Sequence, residues 1–216
     1  LMFYSCAMHV GEMYPDAYFQ RAGMTGRELM EEGRRKVICW LEDVETHGFE
    51  EFLSTVYMCV TFAALLNVVD YSAESISKRA AAVTDRLLAM LSAHTFDGVI
   101  LAPMGRVYGE VVHPFAQGAQ ALMNLINPKL PYAFGEGWLG FYATSGYQIP
   151  EGLCELMAQR MDTVYTTGNA RIFLNKQKNY CLTSVQSPRL DEGFCRWPNL
   201  TLDEKTDTSS CAYTKS

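Results

Sequence analysis

The chain has no Cys-x-x-Cys pair, no His-Glu-x-x-His helix, no Gly-x-Ser-x-Gly elbow and no P-loop. These absences exclude the common thiol-redox, zinc-protease, serine-hydrolase and phosphate-cradling designs, whose chemistry needs those residues at those spacings. The four histidines, His9, His47, His94 and His113, are far apart, and there is no EF-hand loop. No metal and no cofactor are expected. There is no charge-free apolar run of 18 residues, so no membrane span is expected. Positive charge is scarce: 18 Lys and Arg face 24 Asp and Glu, for a net charge of −6. Nucleic acid is thereby excluded as the main partner, because phosphate binding needs clustered cations. The one dense basic cluster, Arg34-Arg35-Lys36, follows Glu28, Glu31 and Glu32. It reads as a solvated helix face with paired charges. No fixed-period repeat occurs, which discounts tetratricopeptide, HEAT and armadillo arrays.

What is present is a globular composition. The 216 residues are 49% apolar, enough for one large domain or two small ones. The seven cysteines are odd in number and widely spaced, a pattern of free thiols in a reducing, cytoplasmic compartment. Cys39 and Cys59 fall in apolar helical runs and are expected in the core. The chain opens inside a helix and reads as part of a longer protein, with any N-terminal targeting region outside it. Asn199-Leu-Thr201 is read as a chance sequon.

Periodicity divides the chain. A helix over 1–14 ends at Pro15-Asp16. Thr25-Gly-Arg-Glu28 is a capping box, opening a helix to His47-Gly48 with Met30, Val37, Trp40, Leu41 and Val44 on one face. The next helix is expected from about Glu50 to Asp70, with Phe62, Leu65, Leu66 and Val69 as its stripe. Ser72 or Ser75 would cap a further helix to His94. Pro114 would open another to about 126, and Asn127-Pro128 would stop it. Residues 128–149 read as an aromatic, glycine-containing loop, and 150–159 as a short helix. Strands are expected over 163–167, 171–175 and 180–186, with Lys-Gln-Lys-Asn as a turn between the last two and a polar tail over 199–216. The short links make consecutive helices antiparallel. The class is therefore mainly α with C-terminal antiparallel β: a helical part over 1–160 and a β part over 161–216.

Three clusters carry candidate chemistry. Tyr57 follows Glu50 and Glu51, offering a phenol for proton transfer beside carboxylates. Arg106 and Tyr108 lie between Gly105 and Gly109, where an arginine could hold a carboxylate bidentately. Phe134, Trp138, Phe141, Tyr142 and Tyr147 could stack on sugar rings, with Glu136 and His113 as further contacts. Each has a plain alternative: Tyr57 as a core ring, the glutamates as first-turn acids, Arg106 as a loop tie, the aromatics as filler. His94 is read as a last-turn residue favoured by the helix dipole. Gly135-Glu-Gly-Trp-Leu-Gly140 matches a dinucleotide fingerprint. It is rejected, because no helix is expected at its third glycine.

Met24-Thr-Gly-Arg-Glu28, Phe49-Glu-Glu-Phe-Leu-Ser-Thr-Val-Tyr57, Ala63–Asp70, Gly105-Arg-Val-Tyr108, Phe173-Leu-Asn-Lys176 and Leu182–Arg189 together resemble a group of large uncharacterised bacterial proteins. Their layout is similar to that of heparinase- and chondroitinase-like polysaccharide lyases. The resemblance covers roughly residues 1–190. It implies helical hairpins of a partial α/α toroid followed by the start of a β-sheet domain, and a carbohydrate substrate. It implies β-elimination of an acidic polysaccharide, with Tyr57 as acid or base and Arg106 as carboxylate partner, assisted by Tyr108. Glu51, Glu136, Trp138, Tyr142 and His113 would bind substrate. The asparagine or histidine of such lyases is not identifiable, and the fragment alone is expected to be inactive. A glycoside hydrolase of the same fold would instead need two carboxylates about 5–10 Å apart, from Glu51, Glu110 and Glu136. A helical scaffold or sugar-binding module would need neither.

Overall fold

Thr25 starts its helix as its capping box dictates: its hydroxyl accepts from the Glu28 N–H, and the Glu28 carboxylate accepts from the Thr25 N–H at 2.8 Å. A computed structural model describes residues 1–105, 118–130, 138–168 and 170–186. The fold is mixed and mainly helical, with small antiparallel sheets. Helix α1 (Met2–Met13) leads through a two-strand ribbon, β1 (Tyr18–Phe19) and β2 (Met24–Thr25), into α2 (Gly26–His47). Helices α3 (Tyr57–Tyr71) and α4 (Glu74–Ala93) follow, then a second ribbon, β3 (Thr95–Phe96) and β4 (Val99–Ile100). Helices α5 (Gly118–Ile126), α6 (Leu139–Thr144) and α7 (Leu153–Ala158) precede a three-stranded sheet ordered β5 (Met161–Thr167), β6 (Ala170–Lys176), β7 (Cys181–Gln186). Among the described residues, no helix is long and apolar enough to cross a membrane.

Helices α1 and α2 cross at glycines. A Cβ on Gly33 would stand 2.5 Å from the Met8 nitrogen, and one on Gly11 would meet the Gly26 oxygen and the Met30 nitrogen. Helix α3 is the centre. Met58, Cys59, Phe62, Ala63, Ala64, Leu65, Leu66 and Val68 are all buried along it, so it is apolar on nearly every side. Helix α4 packs on it through Ala80, Val83, Leu87 and Leu91. Arg86 of α4 also reaches the end of α2, donating to the Val44 and Glu45 carbonyls at 2.9 and 3.1 Å. Both carbonyls lie in the last turn of α2, where the helix dipole favours a cation, and the Val44 oxygen also accepts from the Gly48 N–H at 2.8 Å.

The sheet joins the same core. Burial in β6 alternates strictly, with Ala170, Ile172, Leu174 and Lys176 inward. The period of two thus carries a lysine to the buried face. Lys176 is 2% exposed, and its ammonium donates to four carbonyls: Ala93 (2.7 Å), Thr95 (3.2 Å), Leu156 (3.2 Å) and Met157 (3.0 Å). Three of these oxygens lie in the last turns of α4 and α7, where the helix dipoles are negative, and the Thr95 oxygen belongs to β3. His94, which follows α4, is fully buried. Its Nε2 is 2.8 Å from the Tyr165 hydroxyl and its Nδ1 is 3.4 Å from the Leu101 carbonyl. Burial depresses its pKa to about 4, so it is neutral and not a dipole-stabilised cation as the sequence suggests.

Other expectations change. The third long helix begins at Tyr57, not near Glu50, because residues 50–56 form turns around Leu53 at φ 55°. Neither Ser72 nor Ser75 caps α4. Ala73 occupies the N-cap and makes no side-chain bond. The expected loop at 128–149 contains α6, so a short helix does begin just before Gly140. Cys59 is buried, but Cys39 is exposed on the outer face of α2. Arg35 and Lys36 pair with Glu32, and Arg34 with Glu31, on a solvated face.

Three substitutions test this packing by urea unfolding. Gly33→Ala, which should gain nearly 1 kcal/mol in an exposed helix, will cost about 1–3 kcal/mol here through overpacking. Lys176→Met will cost roughly 3 kcal/mol or more by leaving several carbonyls unpaired. For His94, the folded pKa lies below the unfolded one, so the unfolded state takes up the proton first as pH falls. Stability is full above pH 6.5 and falls by roughly 3 kcal/mol towards pH 4. His94→Gln will flatten that part of the pH profile.

Candidate functional site

A mostly apolar hollow forms where α1, α2, α3 and the 48–56 segment meet. Its volume is about 560 Å³. Helix α3 contributes Tyr57, Val60, Thr61 and Ala64, the i, i+3, i+4, i+7 stripe of one face. Helix α2 contributes Trp40, Asp43 and Val44, again on one face, just before the helix ends at Gly48. Phe49, Glu50 and Glu51 close one wall, and Met2 and Phe3 of α1 another. Tyr57 is the first residue of α3, where its backbone N–H meets the Ser54 hydroxyl at 3.3 Å. The phenol is therefore presented from a helix N-terminus. The Trp40 and Phe49 rings lie 6.5 Å apart at a tilt of 57°.

Tyr57, Glu51, Glu50 and Asp43 are each half-buried, with carboxylates and a phenol facing one hollow beside an indole. Such a set can accept hydrogen bonds from hydroxyls, stack on an apolar ring face and move a proton. No Lys, Arg or His occurs among the described lining residues. No group of three His, Cys, Asp or Glu suited to a metal ion occurs among the described residues.

The sequence-predicted residues divide. Tyr57 and Glu51 share this hollow. Trp138 and Tyr142 are not on its lining. Trp138 stacks on Phe141 at 6.1 Å, and Tyr142 lies 6.3 Å from Phe62. Phe62 is about 140° around α3 from Tyr57 at 3.6 residues per turn, so Tyr142 covers the opposite side of the helix. Tyr142 instead borders a separate hollow of about 500 Å³ with Leu125, Ile126 and residues 149–155. Tyr147, another of the aromatic cluster, is 5% exposed and donates its hydroxyl to Asp85 at 2.6 Å. Burial, and then the Asp85 carboxylate, push its phenol pKa far up. Asp70 accepts from the Ser145 hydroxyl and the Gly146 N–H at 3.0 and 2.9 Å. Residues 142–147 are thus tied to α3 and α4 as packing, while Phe141, stacked on Trp138, is exposed.

Arg106, Tyr108, Glu110, His113, Phe134 and Glu136 lie outside the described residues. Gly105, immediately before Arg106, donates its N–H to the Phe52 carbonyl at 2.8 Å, and a Cβ there would stand 2.8 Å from the Glu50 oxygen. Trp40, expected in the core from its helical stripe, and Asp43, which carries no motif, both line the hollow. Their i, i+3 spacing near a helix end, directly before the Glu50-Glu51 pair, was the available signal. Comparison of the chain with protein-family models, curated proteins and solved structures finds no match.

Proposed function

We propose that the protein is carbohydrate-active and lyase-like, with a sugar ring seated in the Tyr57 hollow. One observation carries this reading: Tyr57 and Glu51 open onto the same cavity as Trp40, Asp43 and Glu50. The volume lies within the usual range for small-ligand pockets, about 300–1,000 Å³. In this reading Trp40 or Phe49 stacks on the apolar ring face and the carboxylates accept sugar hydroxyls. Tyr57 removes the ring proton beside the uronic carboxylate, or returns one to the leaving oxygen. That proton becomes acidic only when a cation neutralises the carboxylate. Arg106 is the proposed cation, with Tyr108 beside it. The attachment of Gly105 to the Glu50–Phe52 wall supports this role. The α/α-toroid arrangement belongs to the same proposal. It is supported by the antiparallel α1–α2 hairpin, in which Met8 meets Gly33 and Gly11 meets Gly26.

A specific observation favours a second reading. Three carboxylates, Asp43, Glu50 and Glu51, border one cavity, and hydrolysis of a glycosidic bond needs two. Incubating the chain, alone and within any longer protein that carries it, with chondroitin and heparosan separates the two reactions. Elimination leaves a conjugated double bond that absorbs in the ultraviolet, whereas hydrolysis releases reducing ends without that absorbance. Binding without turnover leaves a sugar-binding module.

With elimination observed, Tyr57→Phe will lower kcat by about 10²–10⁴-fold, the usual contribution of a positioned acid or base. Trp40→Ala will weaken binding, and Trp138→Ala will leave it unchanged. A Tyr57→Phe protein releasing unsaturated product at the wild-type rate refutes the mechanism. An effect of Trp138→Ala equal to that of Trp40→Ala moves the site elsewhere.

A further inference from the structure

The cavity wall at 48–56 is not a self-supporting loop. Leu53, fully buried, holds φ 55°, a conformation that bulky side chains rarely adopt. Such backbone persists only where the surroundings over-determine it. Three distant segments supply the constraint. Gly105 donates to the Phe52 carbonyl at 2.8 Å and Ala119 to the Thr55 carbonyl at 2.9 Å. The third is the tip of the β5–β6 hairpin. There the Thr167 hydroxyl accepts from the Phe49 N–H at 2.9 Å and lies 3.1 Å from the Phe49 carbonyl, to which it donates. The Gly168 N–H donates to the His47 carbonyl at 2.8 Å.

This last contact has little slack. A Cβ on Gly48 would stand 2.6 Å from the Thr167 hydroxyl oxygen, and one on Gly168 would stand 2.8 Å from the Phe49 oxygen. Thr167 is 2% exposed, so water does not compete for these bonds. Of the three ties, only this one acts on Phe49, which packs on Trp40 and adjoins Glu50 and Glu51. Tyr57 is anchored separately through Ser54.

We propose that Thr167 is a positioning residue for the cavity: the hairpin tip holds the Phe49–Glu51 wall in its binding shape, so that affinity in the cavity is coupled to docking of the sheet. The proposal rests on the Tyr57 hollow being the binding site, and it assigns Thr167 to binding rather than to proton transfer. Coupling is reciprocal, so occupancy of the cavity also strengthens the hold of the sheet on the helices.

The test uses the full chain labelled with 5-fluorotryptophan. Its three tryptophans, Trp40, Trp138 and Trp197, give three fluorine resonances, and Trp40→Phe assigns the one at the cavity. Thr167→Val keeps the shape and removes both hydroxyl bonds, and Thr167→Ser restores them. The expected result is a shifted or broadened Trp40 resonance in Thr167→Val, an unmoved Trp138 resonance, and a wild-type spectrum in Thr167→Ser. With chondroitin tetrasaccharide as the probe, KM or Kd will rise about fivefold or more while kcat stays within about twofold, as expected for a coupling near the low end of the usual range. An unchanged Trp40 resonance in Thr167→Val overturns the proposal. Movement of both the Trp40 and Trp138 resonances, or a Thr167→Val protein that does not fold, also overturns it, since Thr167 would then hold the fold as a whole. A moved Trp40 resonance in a protein that neither binds nor cleaves the tetrasaccharide supports the positioning role and counts against the saccharide reading alone.

Discussion

The buried ammonium of Lys176 is the interaction from which the arrangement of helices and sheet follows. An unpaired charge at that depth would cost several kcal/mol, more than one surface ion pair returns. The cost is met because the end of α4, the start of β3 and the end of α7 converge and offer four carbonyls to the ammonium. Burial still lowers the pKa of this lysine. Moving the sheet would strand the charge and several backbone oxygens together. The ammonium is thus a positional constraint as much as a source of stability. The neutral His94–Tyr165 contact beside it adds a second polar link between α4 and β5.

Strand β6 extends this constraint across the molecule. It runs roughly 20 Å from Lys176 to Ala170 at about 3.3 Å per residue. At its far end the hairpin tip meets Phe49 and Gly48. One strand therefore connects the ends of α4 and α7 to the wall of the Tyr57 hollow. The other walls are independently rigid: α1 and α2 meet at glycines, Arg86 fastens the end of α2, and α3 is buried on nearly every side. A mostly apolar cavity with a few polar groups on rigid walls is the arrangement of small-ligand sites in general.

Local signals were legible wherever local chemistry decides. The Thr25–Glu28 box, the strand alternation near 161–186 and the charge pairs of Arg34–Lys36 all act within a few residues, and all are present. The reading failed where distant parts overrule local preference. Residues 50–56 have helical composition, but ties from Thr167, Gly105 and Ala119 hold them in turns. His94 looked like a dipole-stabilised cation, yet the sheet covers it and removes the water that would solvate a charge. The aromatic cluster around 138–147 has the composition of a stacking wall, but Tyr142 packs on Phe62 of α3 and Tyr147 donates to Asp85 of α4, while Trp138 stacks on the exposed Phe141 away from the Tyr57 hollow.

The order of the long helices and the C-terminal strands, the buried faces of those helices, and the candidacy of Tyr57 and Glu51 belong to the sequence alone, because periodicity, capping and residue chemistry act over a few residues. Only the tertiary structure decided that Trp40 and Asp43 join those two residues, that Trp138 and Tyr142 do not, and that a lysine on a strand belongs inside. Each of those outcomes depends on which helix ends and hairpin tips come together across long stretches of chain, and a one-dimensional pattern does not contain that distance.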